Sequence, residues 1–472
     1  MTKRIYLTTA IPYVNANPHV GHALELVQSD CLARFYRLTG ADVFWSWGAD
    51  ENSLKNVQAA EAERISTQKL VDKYAKQFAD LGDALNLTFD VFNRTSSKDH
   101  FIGAQKLWEL CKREDIYKKI YRGLYCVGCE AFYTAGEIID GKCPDGHANI
   151  EEVSEENYFF KLSNYANFLE KLIVTDKLKI VPQTRKNEVL SFIKQGLEDF
   201  SISRTFERAR GWGVPVPDDK SQVMYVWFDA LTTYLTALGY PDGSLYKKYW
   251  LDSPKRLHII GKGIIRFHAV YWPAMLASAG LTLPNSEFVH GYITVEGQMI
   301  SKSLGNVIDP FDLVNKFGTE PVRFYLLREI PAWGDGDFSE SRFREIYNGE
   351  LANGLGNLVA RVARLATDVN LSLPEKKNFK FKGAVSDNLE KYRFDQAIMA
   401  IWDAIGDLDK KINSQKPWEL EGRLLKRVIT PIAQEVREIA FNLSPFLPET
   451  SEKILEQFTG KIAAKKPLFP RL

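Results

Sequence analysis

Cysteine is scarce in this chain, with five among 472 residues, and so are methionine at five and histidine at seven. A disulfide scaffold is excluded at that count for a chain of this size. Nor does any run approach the ~20 consecutive apolar residues of a membrane span, so no membrane partner is expected. The opening MTKRIYLTTAIPY lacks the continuous apolar core of a secretory leader, and a cytoplasmic location is the expectation. Charge of one sign is missing as well. Sixty-one Lys and Arg against 60 Asp and Glu leave +1, so a basic surface for nucleic acid has to be local. Repeats and low-complexity tracts are absent. What is present is a composition 45% apolar and 26% charged, that of an ordinary globular protein. A prior of about 150 residues per domain suggests about three domains.

The scarce residues are concentrated. His19 and His22 stand three apart in NANPHVGHALELVQSDCLARFYRLTG, residues 15–40. RIYLTTA before them reads as a short buried strand. Asn17 suits a helix N-cap and Pro18 the first helical position, and Val20, Leu24, Val27, Cys31, Phe35 and Leu38 follow at helical spacing. Both histidines therefore fall in a first turn, where backbone N–H groups and the helix dipole suit an anion such as phosphate. The plainer alternative is one packed and one solvated histidine.

Three of the five cysteines cluster. Cys126, Cys129, Cys143 and His147 are spaced C-x2-C-x13-C-x3-H, which closes a tetrahedral Zn²⁺ shell of structural type. Unrelated thiols are the alternative.

Strand-like and helix-like segments alternate over the first ~115 residues: RIYLTTA, ADVFWSWGAD, AKQFADLGDAL and QKLWELCKR. That alternation implies a doubly wound parallel sheet of the α/β class. After the cysteine cluster, QVMYVWFDALTTYLTALGY and RLHIIGKGIIRFHAVYWPAML each read as a strand running into a helix. Beyond about Glu340 the segments read as helices alone. The expected divisions are 1–115 and 223–339 for the two sheet halves, 116–222 for an inserted zinc-knuckle module and 340–472 for a helical C-terminal domain. Ligands of an open parallel sheet lie beyond the carboxyl ends of its strands. The loops bearing His19 and His22, Gly48–Asp50 and Gly261–Ile265 point there. A further candidate is VEGQMISKSLGN, whose Lys302 sits in a Gly/Ser loop; such a lysine by itself is ordinarily a solvated one.

Taken together, PHVGH (18–22), MISKS (299–303), VWFDAL (226–231), RFHAVYWPAML (266–276), FVHGYITVEGQ (288–298), GDFSESRF (336–343), ENYFFKLS and KPW resemble the class I aminoacyl-tRNA synthetases, and within them the methionine-specific branch. The resemblance runs from about Ile5 to the C-terminus. It implies a Rossmann-like catalytic domain, an inserted zinc knuckle and a helical anticodon-binding domain. It also implies ATP-dependent activation of L-methionine, then transfer to tRNA(Met). By that resemblance His19, His22, Gly261, Gly263 and Lys302 handle ATP, with Mg²⁺ shared. Ala10, Ile11, Tyr13, Asp50, Trp227, Ala230, Leu231, Tyr234, Ile264 and His268 hold the amino acid. Asn357, Arg361 and Trp418 meet the anticodon. Read without it, Trp227, Tyr234 and Trp418 are core aromatics and Arg361 a solvated arginine.

The chain departs from the family pattern at four places. Met299–Ile300 stand where Lys-Met is usual, and Gly263 where an aspartate is usual. DENS (50–53) replaces Asp-Glu-His-Gly, and the knuckle has one extra residue before His147. A non-catalytic tRNA-binding relative with a decayed nucleotide site is therefore the alternative to an active ligase. A monomer is expected.

Overall fold

The computed structural model describes residues 3–126, 131–133, 135–144, 146–300 and 305–472. In chain order the elements begin β1 (Arg4–Thr9), α1 (Val20–Leu38), β2 (Asp42–Ala49), α2 (Leu54–Glu63), α3 (Thr67–Ala84), β3 (Val91–Arg94) and α4 (Lys98–Leu110). Then come β4 (Ile116–Cys126), β5 (Ala131–Tyr133), β6 (Ile150–Phe160), α5 (Ala166–Val174), β7 (Lys179–Val181) and α6 (Gln183–Lys194). Short strands β8 (Phe200–Ser201), β9 (Ser203–Thr205), β10 (Pro215–Val216) and β11 (Asp219–Met224) lead into α7 (Val226–Leu231) and α8 (Thr233–Thr236). After β12 (Lys255–Gly261), α9 (Trp272–Ser278) and β13 (Ser286–His290), a small sheet follows from β14 (Ile293–Val295) and β15 (Gln298–Met299). The remainder is mostly helical: α10 (Pro310–Phe317), α11 (Thr319–Arg328), β16 (Gly336–Phe338), α12 (Glu340–Ile346), α13 (Asn357–Asp368), α14 (Gly383–Glu390), α15 (Phe394–Gln415), α16 (Gly422–Leu443) and α17 (Pro448–Gln457).

Six strands form the main sheet in the order β3-β2-β1-β12-β13-β7. The pairings β1–β2, β2–β3, β1–β12 and β13–β7 are parallel. β1 is buried from Ile5 to Thr9 and β13 throughout, as expected of strands covered on both faces. The chain winds outward in one direction through β2 and β3 and in the other through β12 and β13. The order therefore reverses between β1 and β12, and the crevice beyond their carboxyl ends is where such a sheet takes a ligand. Gly48 in β2 is obligatory: a Cβ there would lie 2.1 Å from the carbonyl oxygen of Asn93 on β3.

Two segments differ from the sequence reading. β7, within 116–222, is an edge of the main sheet rather than part of a separate module. The run QVMYV does not join that sheet: β11 pairs antiparallel with β10 and β9. The turn at Pro217–Asp218, with Asp218 at φ 60°, folds β10 and β11 into a hairpin, which supplies nearby antiparallel partners. A further antiparallel sheet, β5-β4-β6-β8, carries the cysteine region.

Contacts divide the chain into two compact units, 1–18, 40–80 and 89–289 in the first, 19–39, 81–88 and 290–472 in the second. In the second, α1 is locked by Asp30, whose carboxylate takes Arg34 Nε at 2.6 Å and Arg323 Nη2 at 2.7 Å. Thr88 adds its N–H at 2.8 Å and its hydroxyl at 2.7 Å. Among the described residues no helix is long and apolar enough to cross a membrane.

Candidate active site

In the first unit the loop after β1 returns alongside the loop after β2. Asp50 N–H donates to Pro12 O at 2.9 Å and Val14 N–H to Asp50 O at 3.4 Å, pairing Tyr13 with Asp50 in parallel. The Asp50 side chain is buried, and its Oδ1 accepts the Asn52 N–H at 3.3 Å. Asn56 Nδ2 holds the Asp50 carbonyl at 3.0 Å, and Lys55 Nζ lies 4.8 Å above the Tyr13 ring. A carboxylate fixed this firmly, at the carboxyl edge of the sheet, is a pre-set partner for a cation.

Trp227 on α7 and Tyr234 on α8 meet His268, which follows β12. Trp227 stacks flat on Phe267, ring centres 3.8 Å apart, and meets His268 edge-on at 6.4 Å. His268 Nδ1–H donates to Ile264 O at 2.9 Å, and the Tyr234 hydroxyl donates to His268 Nε2 at 2.7 Å. Burial lowers the His268 pKa to about 4, partly offset by the bond to Ile264, so the ring is neutral at pH 7. Ala10, Trp227 and Ile264 pack against the core cluster that includes Leu231 and Tyr234. Ala230 is buried on α7 between Trp227 and Leu231 in sequence, and Ile11 is half-buried in the loop after β1. Gly261 caps the short turn after β12, and Gly263 within it is exposed.

Sequence reading missed the polar groups beneath these residues. Asp229 on α7 is buried; its Oδ1 takes His100 Nε2–H at 2.5 Å and its Oδ2 takes Asn52 Nδ2 at 2.7 Å. Asn52 is one of the family departures, and here its side chain serves as a donor to Asp229 and to Thr95 O at 3.0 Å. The available signal was an aspartate inside the apolar run VWFDAL. Glu51, also missed, is buried against Arg94 Nε at 2.6 Å, and burial raises its pKa.

In the second unit the start of α1 corrects the sequence reading. The helix begins at Val20 and His19 is its N-cap, so Asn17 and Pro18 lie before it. Gly21 N–H donates to His19 Nδ1 and His19 N–H donates to His22 Nδ1, both at 3.1 Å. The two histidines thus cap the helix reciprocally, as Ser and Glu do in a capping box, which overrides the usual preference for Asn. Their rings stack at 3.8 Å. With each Nδ1 accepting, the ring proton resides on Nε2; burial, and the repulsion that two protonated rings side by side would feel, push the His22 pKa well down. Val20 N–H donates to Ile308 O at 2.9 Å, and Asn306 Nδ2 ties back to Met299 O at 3.0 Å. Ile308 is thereby held at the helix start, and Asn306 is tied to Met299. Lys302 itself lies outside the described residues.

The cysteine cluster contains Cys126, Cys143 and His147, whose ligand atoms all lie within 4.8 Å of one another. Cys143 Sγ and His147 Nδ1 are 3.6 Å apart, on a turn closed by Gly146 N–H to Cys143 O at 2.8 Å. Two thiols and an imidazole at this separation fit a tetrahedral Zn²⁺, with Cys129 outside the described residues. In the helical region Asn357 is exposed at the start of α13. Arg361 on the same helix is not a solvated arginine: it pairs with Asp409 and donates to Asn413 at 3.3 Å. Nor is Trp418 core, at 52% exposure.

A family model described as "tRNA synthetases class I (M)" matches residues 5–154 and 147–363. The chain belongs to this family. The methionine–tRNA ligase of Clostridium acetobutylicum is 41% identical over 485 aligned residues, 96% of this chain and 73% of the relative. That of Brucella suis is 39% identical, covering 99% and 98%. Among solved structures, Mycobacterium tuberculosis methionyl-tRNA synthetase in complex with methionyl-adenylate matches over the whole of both chains, with 38% identity and a TM-score of 0.91. The free form of the Mycobacterium tuberculosis enzyme gives 0.84 at 35% identity.

Proposed function

We infer that this chain is a methionine–tRNA ligase, activating L-methionine with ATP and then charging tRNA(Met). The observation that carries this reading is the full-length likeness to a synthetase solved with methionyl-adenylate. The non-catalytic alternative is not favoured, since the relatives matched over nearly this whole chain are named as ligases.

The methionine carboxylate is already ionised at pH 7, so no general base is required for the first step. One carboxylate oxygen bonds to the α-phosphorus of ATP while the bond from that phosphorus to the bridging oxygen breaks, releasing pyrophosphate. A terminal ribose hydroxyl of the tRNA then attacks the carbonyl carbon and AMP departs. What the protein supplies is orientation and positive charge. Asp50 takes the substrate ammonium. Trp227, Tyr234 and neutral His268 face the thioether with Ala10, Ile11, Tyr13, Ala230, Leu231 and Ile264, each sulfur–aromatic contact contributing ~0.3–1.5 kcal/mol. A neutral His268 suits this task because a charged ring buried against an apolar side chain would lose its hydration uncompensated.

His19 and His22 direct Nε2–H donors and a helix N-terminus at phosphate oxygens, Gly261 and Gly263 border the nucleoside, and Lys302 follows the leaving pyrophosphate. Lys302 stands six positions before Ile308, whose carbonyl accepts from Val20 at the helix start. Mg²⁺ arrives with ATP and shields its phosphates. Cys126, Cys129, Cys143 and His147 hold a structural Zn²⁺. Asn357, Arg361 and Trp418 contact the anticodon, the indole face stacking a base. The ligase works as a cytoplasmic monomer.

The test is methionine-dependent exchange of pyrophosphate into ATP by the zinc-loaded full chain. Exchange specific to methionine is expected; none with any amino acid overturns the reading in favour of a binding protein.

A further inference from the structure

His100 belongs to no motif of the family pattern described above, yet it is fully buried and bonded on both ring nitrogens. Its Nε2–H donates to Asp229 Oδ1 at 2.5 Å and its Nδ1 meets Thr236 Oγ1 at 2.8 Å. Asn93 Nδ2 reaches the same hydroxyl at 3.2 Å. The backbone of α4 makes this possible. Gly103, one turn on from His100 and on the same face, would put a Cβ 2.3 Å from Thr236 Cγ2. With no side chain there, α4 closes on α8 and the imidazole reaches α7 behind it.

Asp229 is where three segments meet. One oxygen takes His100 from α4 and the other takes Asn52 from the loop after β2, while its own helix α7 carries Trp227, Ala230 and Leu231. Asn52 then passes the constraint on, its backbone N–H binding Asp50 Oδ1. A buried carboxylate holds its place only while its lone pairs are filled by donors. Without His100, half of that shell is empty, and Asp229 either draws Asn52 after it or tilts α7. Either movement changes the spacing between Asp50 and Trp227.

We propose that His100 is a positioning residue for the amino-acid site, setting through Asp229 the distance between the carboxylate that takes the substrate ammonium and the aromatic wall that takes its side chain. The proposal rests on the assignment of Asp50 and Trp227 made above. Neither hydrogen bond to Asp229 comes from a residue assigned to ATP, so the two substrates separate: methionine recognition depends on His100 and ATP recognition does not.

The experiment compares His100→Gln, whose amide nitrogen can replace Nε2, with His100→Asn, whose shorter amide replaces Nδ1 and leaves Asp229 without that donor. KM values for methionine and for ATP are taken from pyrophosphate exchange, with thermal melting of each variant. Expected is a rise of about tenfold or more in KM for methionine in His100→Asn, KM for ATP within about twofold of wild type, and recovery towards wild type in His100→Gln. Gly103→Ala, which displaces α4 without altering any donor, gives the same methionine-selective rise. Both KM values moving together with the melting temperature in every variant overturns the proposal in favour of a purely structural histidine. So does an unmoved KM for methionine in all three. Asp50→Asn, measured alongside, separates the failures. If KM for methionine is unmoved there, the site assignment falls and this proposal with it; if it rises there but not in the His100 and Gly103 variants, only the role of His100 is lost.

Discussion

On the proposed assignment, Asp50 and His268 divide the work of the amino-acid site between one charge and one neutral ring. Asp50→Asn removes the charge and keeps the shape, so KM for methionine should rise at least tenfold in the exchange assay while the protein remains folded. His268 makes a different prediction. Its pKa is lowered to about 4, below that of an unfolded histidine, so between pH ~6.5 and ~4 the unfolded chain binds a proton that the native chain does not. The native state therefore loses stability as pH falls through that window. His268→Gln, titrated by denaturant at several pH values, should lose less stability there than the wild type. Over the neutral range methionine binding by the wild type should be flat, because the ring stays uncharged.

At the scale of the element, α1 shows a helix N-terminus capped by its own histidines. Two histidines replace the usual Ser–Glu pair, satisfying N–H groups of the first turn while the outer ring nitrogens carry protons. Further along, the same helix is fixed by the buried pair of Asp30 with Arg323, both fully enclosed. Breaking a buried pair from one side leaves a bare charge, so Arg323→Met should destabilise the protein by about 3–5 kcal/mol in chemical unfolding. The cysteine turn gives an element-scale test too. Cys143→Ser should reduce bound zinc, read by metal analysis of the purified protein, and a strong chelator should lower the melting temperature of the wild type but not of that variant.

At the scale of the whole molecule, the residues proposed for adenylation and for tRNA reading lie far apart in the chain. Trp418, half exposed beyond α15, is assigned in the proposal to the anticodon and not to the amino-acid chemistry. Trp418→Ala should cut tRNA charging at sub-saturating tRNA by about tenfold or more, given ~1–3 kcal/mol per stacked base, while exchange remains near wild type. Equal loss of both activities would remove the anticodon assignment.

Much of this was legible in the sequence, and the reason is periodicity. Period-3.6 patterns marked α1 and the C-terminal helices, whose apolar stripes leave their spacing in the chain, and short apolar segments marked β1 and β2, which are buried over most of their length. The spacing of Cys126, Cys143 and His147 and the aspartate after β2 were readable as local motifs. The partners that decide geometry were not. His100 meets Asp229 across 129 positions and Arg323 meets Asp30 across 293, and no local pattern encodes such distances. The hairpin that takes β11 out of the main sheet, the strand β7 that joins it, and the choice of His19 over Asn17 as the cap arose in the same way. Each depends on which donor or edge another part of the chain brings near, and folding alone settles that competition.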